Sequence, residues 1–598
     1  MKPLPHCVPL LSAFVIAAAH AASPDLVTSA SAFVRSQAHS PVNWETWNPE
    51  VLRRAQAENK PVYLFIGSSL SELSRATCQQ TFANVESAAY LNQRFICVLV
   101  DREERPDVAA SARLYLQMVK QTDGWPGHLW LTPELQPYEG AGYLPPSEEW
   151  GRSGFSNVAR QAAEAWASNP RACRGHAAEA VLTMSSHSAD TLSTLPPAAL
   201  SAKLAQAAAA WKESFDAVNG GFGSAPKALE PELLRFLLRG SKADRDAALT
   251  SLHALLNGAV HDPLDGGFFT RAIDAAWRMP YMQKTLSDQA RLTLAYLDAA
   301  ETVDDPAWGR AARGALDYAL SRLALPDGGF AAAEDATSAE SAGYYVWTAA
   351  EIDGVLGPEA AAFESAYGVA PAGNVSADED LTGVYRGKNI LFRSTVLGDA
   401  SAEAKLAAAA TRLRNAREQR PPPARDERAT AGAHGLMLAA LARAAVQLKE
   451  PSFLAAATRT FAAVQTQFIV SGDGDVRRLR GSAAPAAPAD YAALALGCRE
   501  FSKASKNADA DALANRLLAR AGNLYFDVAQ GGYFAAPMPL PIGLFVRAPA
   551  TDDPPAAESL ALMAGAPSEQ AAAMAKALSA LLTTGVPTAG DVLLALQR

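Results

Sequence analysis

The chain has 598 residues, 49% hydrophobic and 19% charged, which describes a globular protein long enough for more than one domain rather than a disordered one. Its net charge of −9 argues against nucleic acid as the main partner. The one arginine-rich run, Arg412 to Arg428, is broken by three prolines and reads as a solvated linker.

In chain order, Lys2 and an apolar stretch from Val8 to Ala19 precede Ala19-His20-Ala21, the pattern of a signal peptide over residues 1–22. Export to the periplasm or outside is expected, with no membrane span once that segment is removed. Cys7 would leave with it. Cys78, Cys97, Cys173 and Cys498 remain, with no close pair for zinc or local redox chemistry and three disulfide pairings open. No metal site or cofactor is expected.

From Trp44 to about Gly140, short apolar strands alternate with helices. Asn48 caps a helix that Pro49 opens, followed by a strand at Val62–Ile66 and a helix after Ser69. A strand at Phe95–Val100, a helix over about Asp107–Lys120 and a strand at Leu129–Leu131 complete an α/β layer. Trp125-Pro126 is a candidate cis bond. Ser71-Glu72-Leu73-Ser74 sits at the first helical turn after the Val62 strand, where a redox protein would carry Cys-x-x-Cys. Ser69-x-x-Glu72 matches a capping box.

Residues 186–198, rich in Ser, Thr and Pro, read as a linker between an α/β domain at 24–185 and a helical one at 199–598. Leu200, Leu204, Ala208, Trp211 and Phe215 form one apolar stripe. Glycine–aromatic turns at Gly220-Gly221-Phe222, Gly266-Gly267-Phe268, Gly328-Gly329-Phe330 and Gly531-Gly532-Tyr533 suit a closed ring of helical hairpins. Asp473-Gly474-Asp475 is a turn rather than a calcium loop.

The stretches SPVNWETWNPEVLRRAQAENKPVYLFIG, FICVLVDREERPDV and DGWPGHLWLTPELQPYEGAGYLPP resemble the spermatogenesis-associated thioredoxin-domain proteins and their bacterial relatives. NGGFGSAPK, DAAWRMPYMQKTLSDQA and EDATSAESAGYYVWT extend the resemblance over nearly the whole mature chain. It implies a thioredoxin-like domain followed by an (α/α)6 toroid, like six-hairpin glycosidases and N-acylglucosamine epimerases. The family's Cys-His-Trp-Cys-His motif aligns with Ser71 to Arg75, so both cysteines are absent and thiol–disulfide exchange is chemically excluded. Its Pro-His-Phe-Glu-Lys motif is here Pro280-Tyr281-Met282-Gln283-Lys284, which lacks the proton-transferring His and Glu. Ala433-His434 stands for a Trp-Asn pair, and Pro555 to Ser559 for a Pro-Ser-Gly-Asn-Ser run.

Asp274, Trp277, Lys284, Asp288, Glu334, Asp335 and Trp347 are retained. Two readings stay open. In one the chain is a pseudoenzyme that binds a carbohydrate or a protein, with Trp277 and Trp347 as ligand-facing rings and Lys284–Asp288 as an i, i+4 pair. In the other it is a sugar-active hydrolase or isomerase using Asp288, Glu334 or Asp335.

Overall fold

The computed structural model describes residues 24–122, 124–149, 151–191, 209, 211–376, 380, 383–395, 399–527, 532–538 and 546. The signal segment with Cys7, most of the expected linker, the stripe at Leu200, Leu204 and Ala208, and Pro555 to Ser559 lie outside them.

The first domain is a five-stranded mixed sheet in the order β1-β3-β2-β4-β5. These strands are Trp44–Thr46, Val62–Gly67, Ile96–Asp101, Gly127–Leu131 and Pro137–Ala141 in chain order. The central β2 and β3 pair in parallel and are buried at every residue, which explains their unbroken apolar runs. Their side chains divide between two cores by the strand period of two. Val62, Leu64 and Ile66 meet Val98, Val108 and Tyr115 on one face. Tyr63 and Phe65 meet Phe33, Phe82 and Phe155 on the other. Each such fully buried ring contributes about 2–3 kcal/mol.

Most expected elements are present with shifted ends. The helix after β3 is Pro106–Met118, and the Trp125-Pro126 bond is cis. β1 and β5 were not anticipated from sequence: one is three residues long, and the other carries a proline and a glycine that weaken its strand pattern. The Pro170–Thr191 helix runs into the stretch expected as linker.

The second domain is an all-α toroid of the (α/α)6 kind. Four of its hairpins have both helices among the described residues. Inner helices Pro231–Leu238, Leu286–Thr302, Ala431–Gln447 and Pro488–Ser505 stand side by side. Outer helices Lys242–Asn257, Pro306–Tyr318, Pro451–Gln467 and Ala508–Tyr525 each pack on the inner helix they follow. The inner helices are largely buried, and Ala431–Gln447 is buried continuously from Ala431 to Ala442. Gly435 allows the closest approach: a Cβ there would lie 2.3 Å from the Ala493 carbonyl carbon.

Each turn from an outer helix toward the next inner one closes with an antiparallel bridge. The bridges are Phe215–Phe222, His261–Phe268, Ala324–Phe330 and Phe526–Tyr533, plus a fifth at Ile469–Val476, where valine stands in the aromatic position. Between the second and third inner helices, Ala349–Leu356, Ala360–Ala366 and Ala400–Arg417 form an inserted cluster with its own core around Trp347, Phe363 and Leu413. The arginine-rich run is therefore not a solvated linker. It holds a helix end and a strand, and Arg417 and Arg428 are buried in ion pairs at 1% and 5% exposure.

Candidate functional site at the junction of the two domains

Ser71 is the N-cap of the Glu72–Ala76 helix, with extended backbone and a side chain that accepts the Ser74 N–H at 3.2 Å. Ser74 is fully buried, and its hydroxyl oxygen accepts the Ser68 N–H at 3.4 Å. Both hydroxyls thus hold backbone groups at the helix end. This corrects the expected capping box, whose serine was Ser69. The Ser69 hydroxyl instead donates to Asp426 of the helical domain at 2.9 Å. Burial pushes the Cys78 thiol up to about 12, and Cys97, Cys173 and Cys498 are likewise buried free thiols.

Opposite this helix end lies a three-stranded ribbon of the toroid. Gln283–Thr285 and Ala424–Asp426 flank Ala333–Asp335, all antiparallel, with Lys284, Glu334 and Arg425 in one register row. The alternation of a strand sends Gln283 and Asp335 to the face that meets the first domain, and Lys284 and Glu334 to the other. Arg75 spans the gap on the first face: its guanidinium donates to Asp335 at 3.0 Å and to the Thr337 hydroxyl at 2.8 Å. Tyr281 sits half-buried beside it, with the Arg271 guanidinium 4.3 Å from its ring centre. Burial, then the neighbouring Asp335, raises the Tyr281 phenol above its ordinary value. The Gln283 side-chain nitrogen is buried without a hydrogen-bond partner.

On the second face the retained charges are tied to one another. Lys284 is fully buried and donates to Asp262 at 2.8 Å and to the Gly266 carbonyl at 3.2 Å, among the rings of Phe269, Tyr318 and Tyr345. Arg417 adds ion pairs to Asp262 at 3.0 Å and Asp265 at 3.1 Å. Burial alone would raise Asp262, but Arg417 and Lys284 outweigh it and hold the carboxyl below its usual range. Glu334 accepts from Arg322 and from the Tyr318 hydroxyl, both at 2.6 Å.

The first hairpin turn repeats this arrangement. Lys227, also fully buried, donates to Asp216 at 2.6 Å and to the Gly220 carbonyl at 2.9 Å, with Trp277 beneath it. Asp216-Gly220-Lys227 and Asp262-Gly266-Lys284 are thus the same staple in successive repeats. The family motif's lysine fastens a turn.

Three sequence expectations are corrected. Lys284 and Asp288 do not pair: the Asp288 carboxylate accepts from the Thr285 hydroxyl at 2.6 Å, while Thr285 caps the Leu286–Thr302 helix. Trp277 and Trp347 present no ring to a ligand, being 2% exposed each. The Trp277 indole N–H donates to the Asn219 and Gly220 carbonyls, and Arg420 covers Trp347 at 3.9 Å.

Glu230 was missed by the sequence reading. It is the residue before Pro231 at the start of the first inner helix, in left-handed backbone at φ 49°, with no capping bond. Burial, with Glu232 adding to it and Arg291 opposing, pushes its carboxyl up to about 7. Asp288, on the neighbouring inner helix, is also raised by burial. Arg291 joins these helix ends through a bidentate pair to Glu232. A glutamate immediately before a helix-opening proline was the available signal.

The loop Asp101 to Asp107 docks the domains. Arg428 donates to Asp101 at 2.7 Å and Ser482 to Glu104 at 2.6 Å, while Arg478 donates to the Glu103 carbonyl. Burial would raise the Glu103 carboxyl, but Arg102, Arg428 and Arg478 hold it below its ordinary value.

A family model described as Thioredox_DsbH, protein of unknown function, matches residues 23–185. Spermatogenesis-associated protein 20 of Mus musculus is 30% identical over 571 residues, covering 87% of this chain and 72% of that protein. The Homo sapiens protein gives the same figures. The chain belongs to the spermatogenesis-associated protein 20 family. An uncharacterized Caenorhabditis elegans protein is 26% identical over 469 residues, 71% of this chain and 62% of that one. Among solved structures, a cellobiose 2-epimerase from Bacillus thermoamylovorans aligns with a TM-score of 0.37 and 8% identity, over 56% of this chain and 74% of that one. An unsaturated glucuronyl hydrolase from a Bacillus species gives 0.33 and 11%, over 73% and 88%. Among the described residues of this family member, no helix is long and apolar enough to cross a membrane.

Proposed function

We propose that the chain is a redox-silent binding protein whose ligand, a saccharide, sits between the Ser71–Arg75 helix end and the Tyr281–Asp335 face of the toroid and leaves unchanged. The observation that carries this reading is that the ribbon face meeting the first domain carries Tyr281, Gln283 and an Asp335 paired with Arg75, none of them a group that exchanges protons readily near neutral pH, while Glu334 lies on the opposite face. The absence of thiols at Ser71 and Ser74 removes the other family chemistry. Tyr281, Arg75, Asp335 and Thr337 supply donors and acceptors suited to a hydroxyl-rich molecule. The thioredoxin-like domain serves as the roof of that site rather than as a catalyst.

A second reading, a sugar-active hydrolase or isomerase, draws on Glu230 and Asp288. A carboxyl pushed up to about 7 is suited to donate a proton. The two readings part in one experiment: a panel of mono- and oligosaccharides followed by ligand-observed NMR. Line broadening that disappears in Tyr281→Ala, without product peaks, supports binding alone. Product that disappears in Glu230→Gln or Asp288→Asn replaces it with the enzyme, and no broadening with any saccharide removes the saccharide.

Export remains part of the proposal, on the Lys2–Ala21 pattern. Expressed in a Gram-negative host, the protein should fractionate with periplasm and begin near Ala22; full-length protein in the cytosol would count against it.

A further inference from the structure

The inserted cluster and the outer wall of the ring border an open cleft of about 380 Å3, within the size range of small-molecule sites. It is independent of the Tyr281 face. Tyr367 and Phe392 form an aromatic side and Leu256, Pro263 and Ala311 an aliphatic one. The Phe392 ring is held at two points. The Arg278 guanidinium lies 3.5 Å from its centre, and Gly368 passes so close that a Cβ there would be 2.3 Å from the ring. Gly368 has φ +64°, so the approach and the backbone both require glycine. The aromatic wall is therefore preorganised.

The polar lining is biased toward cations. Glu403 is paired with Arg393 at 2.5 Å, which leaves that pair neutral. Arg310 also lines the cavity and makes no hydrogen bond or ion pair with any described residue. His253 rests on Trp308 at 4.2 Å and His261 on Phe268 at 4.9 Å. Burial lowers both imidazoles, opposed at His253 by Asp305 and at His261 by Asp262. They are neutral near pH 7, each with one N–H donor and one acceptor nitrogen. The exposed Asn257 adds an amide at the rim. On a chain whose overall charge is −9, Arg310 brings to this cleft an exposed guanidinium with no partner among the described residues.

We propose that this cavity binds a small organic anion carried on a ring, the ring against Tyr367 and Phe392 and the carboxylate or phosphate toward Arg310. Arginine suits both anions because its planar fork can donate two parallel hydrogen bonds. His261 precedes Asp262, which holds the Lys284 staple, so an occupant of the cavity touches the segment that fastens the second hairpin turn.

The test is calorimetric titration of the full chain with glucose 6-phosphate, glucuronate and benzoate, and with glucose as the neutral control. Saturable binding of at least one anion is expected, and in Tyr281→Ala, where the saccharide site is removed, that binding should persist while glucose gives no heat. The phosphate and carboxylate arms separate the two anions. Arg310→Gln, an exposed change away from both cores, should weaken the bound anion about tenfold, the effect of losing a charge-assisted hydrogen bond. Tyr281→Ala should leave anion binding unchanged, which keeps this result separate from the fate of the saccharide reading. Absence of binding by every anion at about 10 mM would overturn the proposal. Equal affinity in Arg310→Gln, or glucose competing with its phosphate at this cavity, would do the same.

Discussion

At Ser71 and Ser74 two oxygen atoms stand where the family resemblance implies sulfur, and both hydroxyls hold backbone N–H groups at the helix end. Glu230 is the opposite case, a residue whose local cost is visible. Its left-handed backbone and desolvated carboxyl are both unfavourable. Since the folded state raises this carboxyl to about 7, folding favours its protonated form. The stabilising contribution is fully present below the ordinary carboxylate range and is lost as pH rises through about 7. Glu230→Gln, which keeps the shape of the protonated acid, should unfold at nearly the wild-type temperature at about pH 5 and at a higher one at about pH 8.5. Equal melting differences at both pH values would show that Glu230 is already solvated. At this scale the sequence was informative where chemistry is local, as at the missing cysteines. At Glu230 it offered only a glutamate before a helix-opening proline, because desolvation arises from inner helices brought together across the ring.

Among elements, the hairpin turn is the unit that repeats, and the lysine staple is its fastening. The internal repeat of glycine–aromatic turns was legible, but the lysines were not recognisable as equivalents. Eleven residues separate Asp216 from Lys227 and twenty-two separate Asp262 from Lys284, so no fixed spacing links them. The same holds for the turn N–H groups. Phe268 N–H is accepted by Gln289 at 2.7 Å and Phe330 N–H by His434 at 2.9 Å, each from the following inner helix. His434 thus holds a turn at the place where relatives carry Trp-Asn. Trp277 and Trp347 misled for a related reason: an aromatic in a motif reads as a ligand platform until its burial is known. If Lys284 is a staple like Lys227, Lys284→Met and Lys227→Met should each lower stability by about 1.5–3 kcal/mol, as losing a hydrogen bond between charged groups does. Thermal or urea unfolding measures both. A Lys284→Met protein as stable as wild type, but unable to bind ligand, would return that lysine to the site.

For the whole molecule, the decisive arrangement is that the Asp101–Asp107 loop and Arg75 dock one domain on the other. Asp101, in particular, is held by Ser31 at 2.6 Å from its own domain and by Arg428 at 2.7 Å from the toroid. The Asp-Arg-Glu-Glu-Arg-Pro-Asp stretch was conspicuous in the sequence, yet its toroid partners lie more than three hundred residues away and only the fold identifies them. With the domains fixed in this way, the Ser71–Arg75 helix end faces the ribbon that carries Tyr281, Gln283 and Asp335, and Glu334 lies on the ribbon's other face. The most direct measurement is a prolonged NMR time course of the full chain with the saccharide panel, reading ligand line widths and product peaks together. The account predicts broadened lines for a bound saccharide, reversed in Tyr281→Ala, and an unchanged spectrum of free sugar at the end. Accumulating product that vanishes with Asp288→Asn or Glu230→Gln would contradict it.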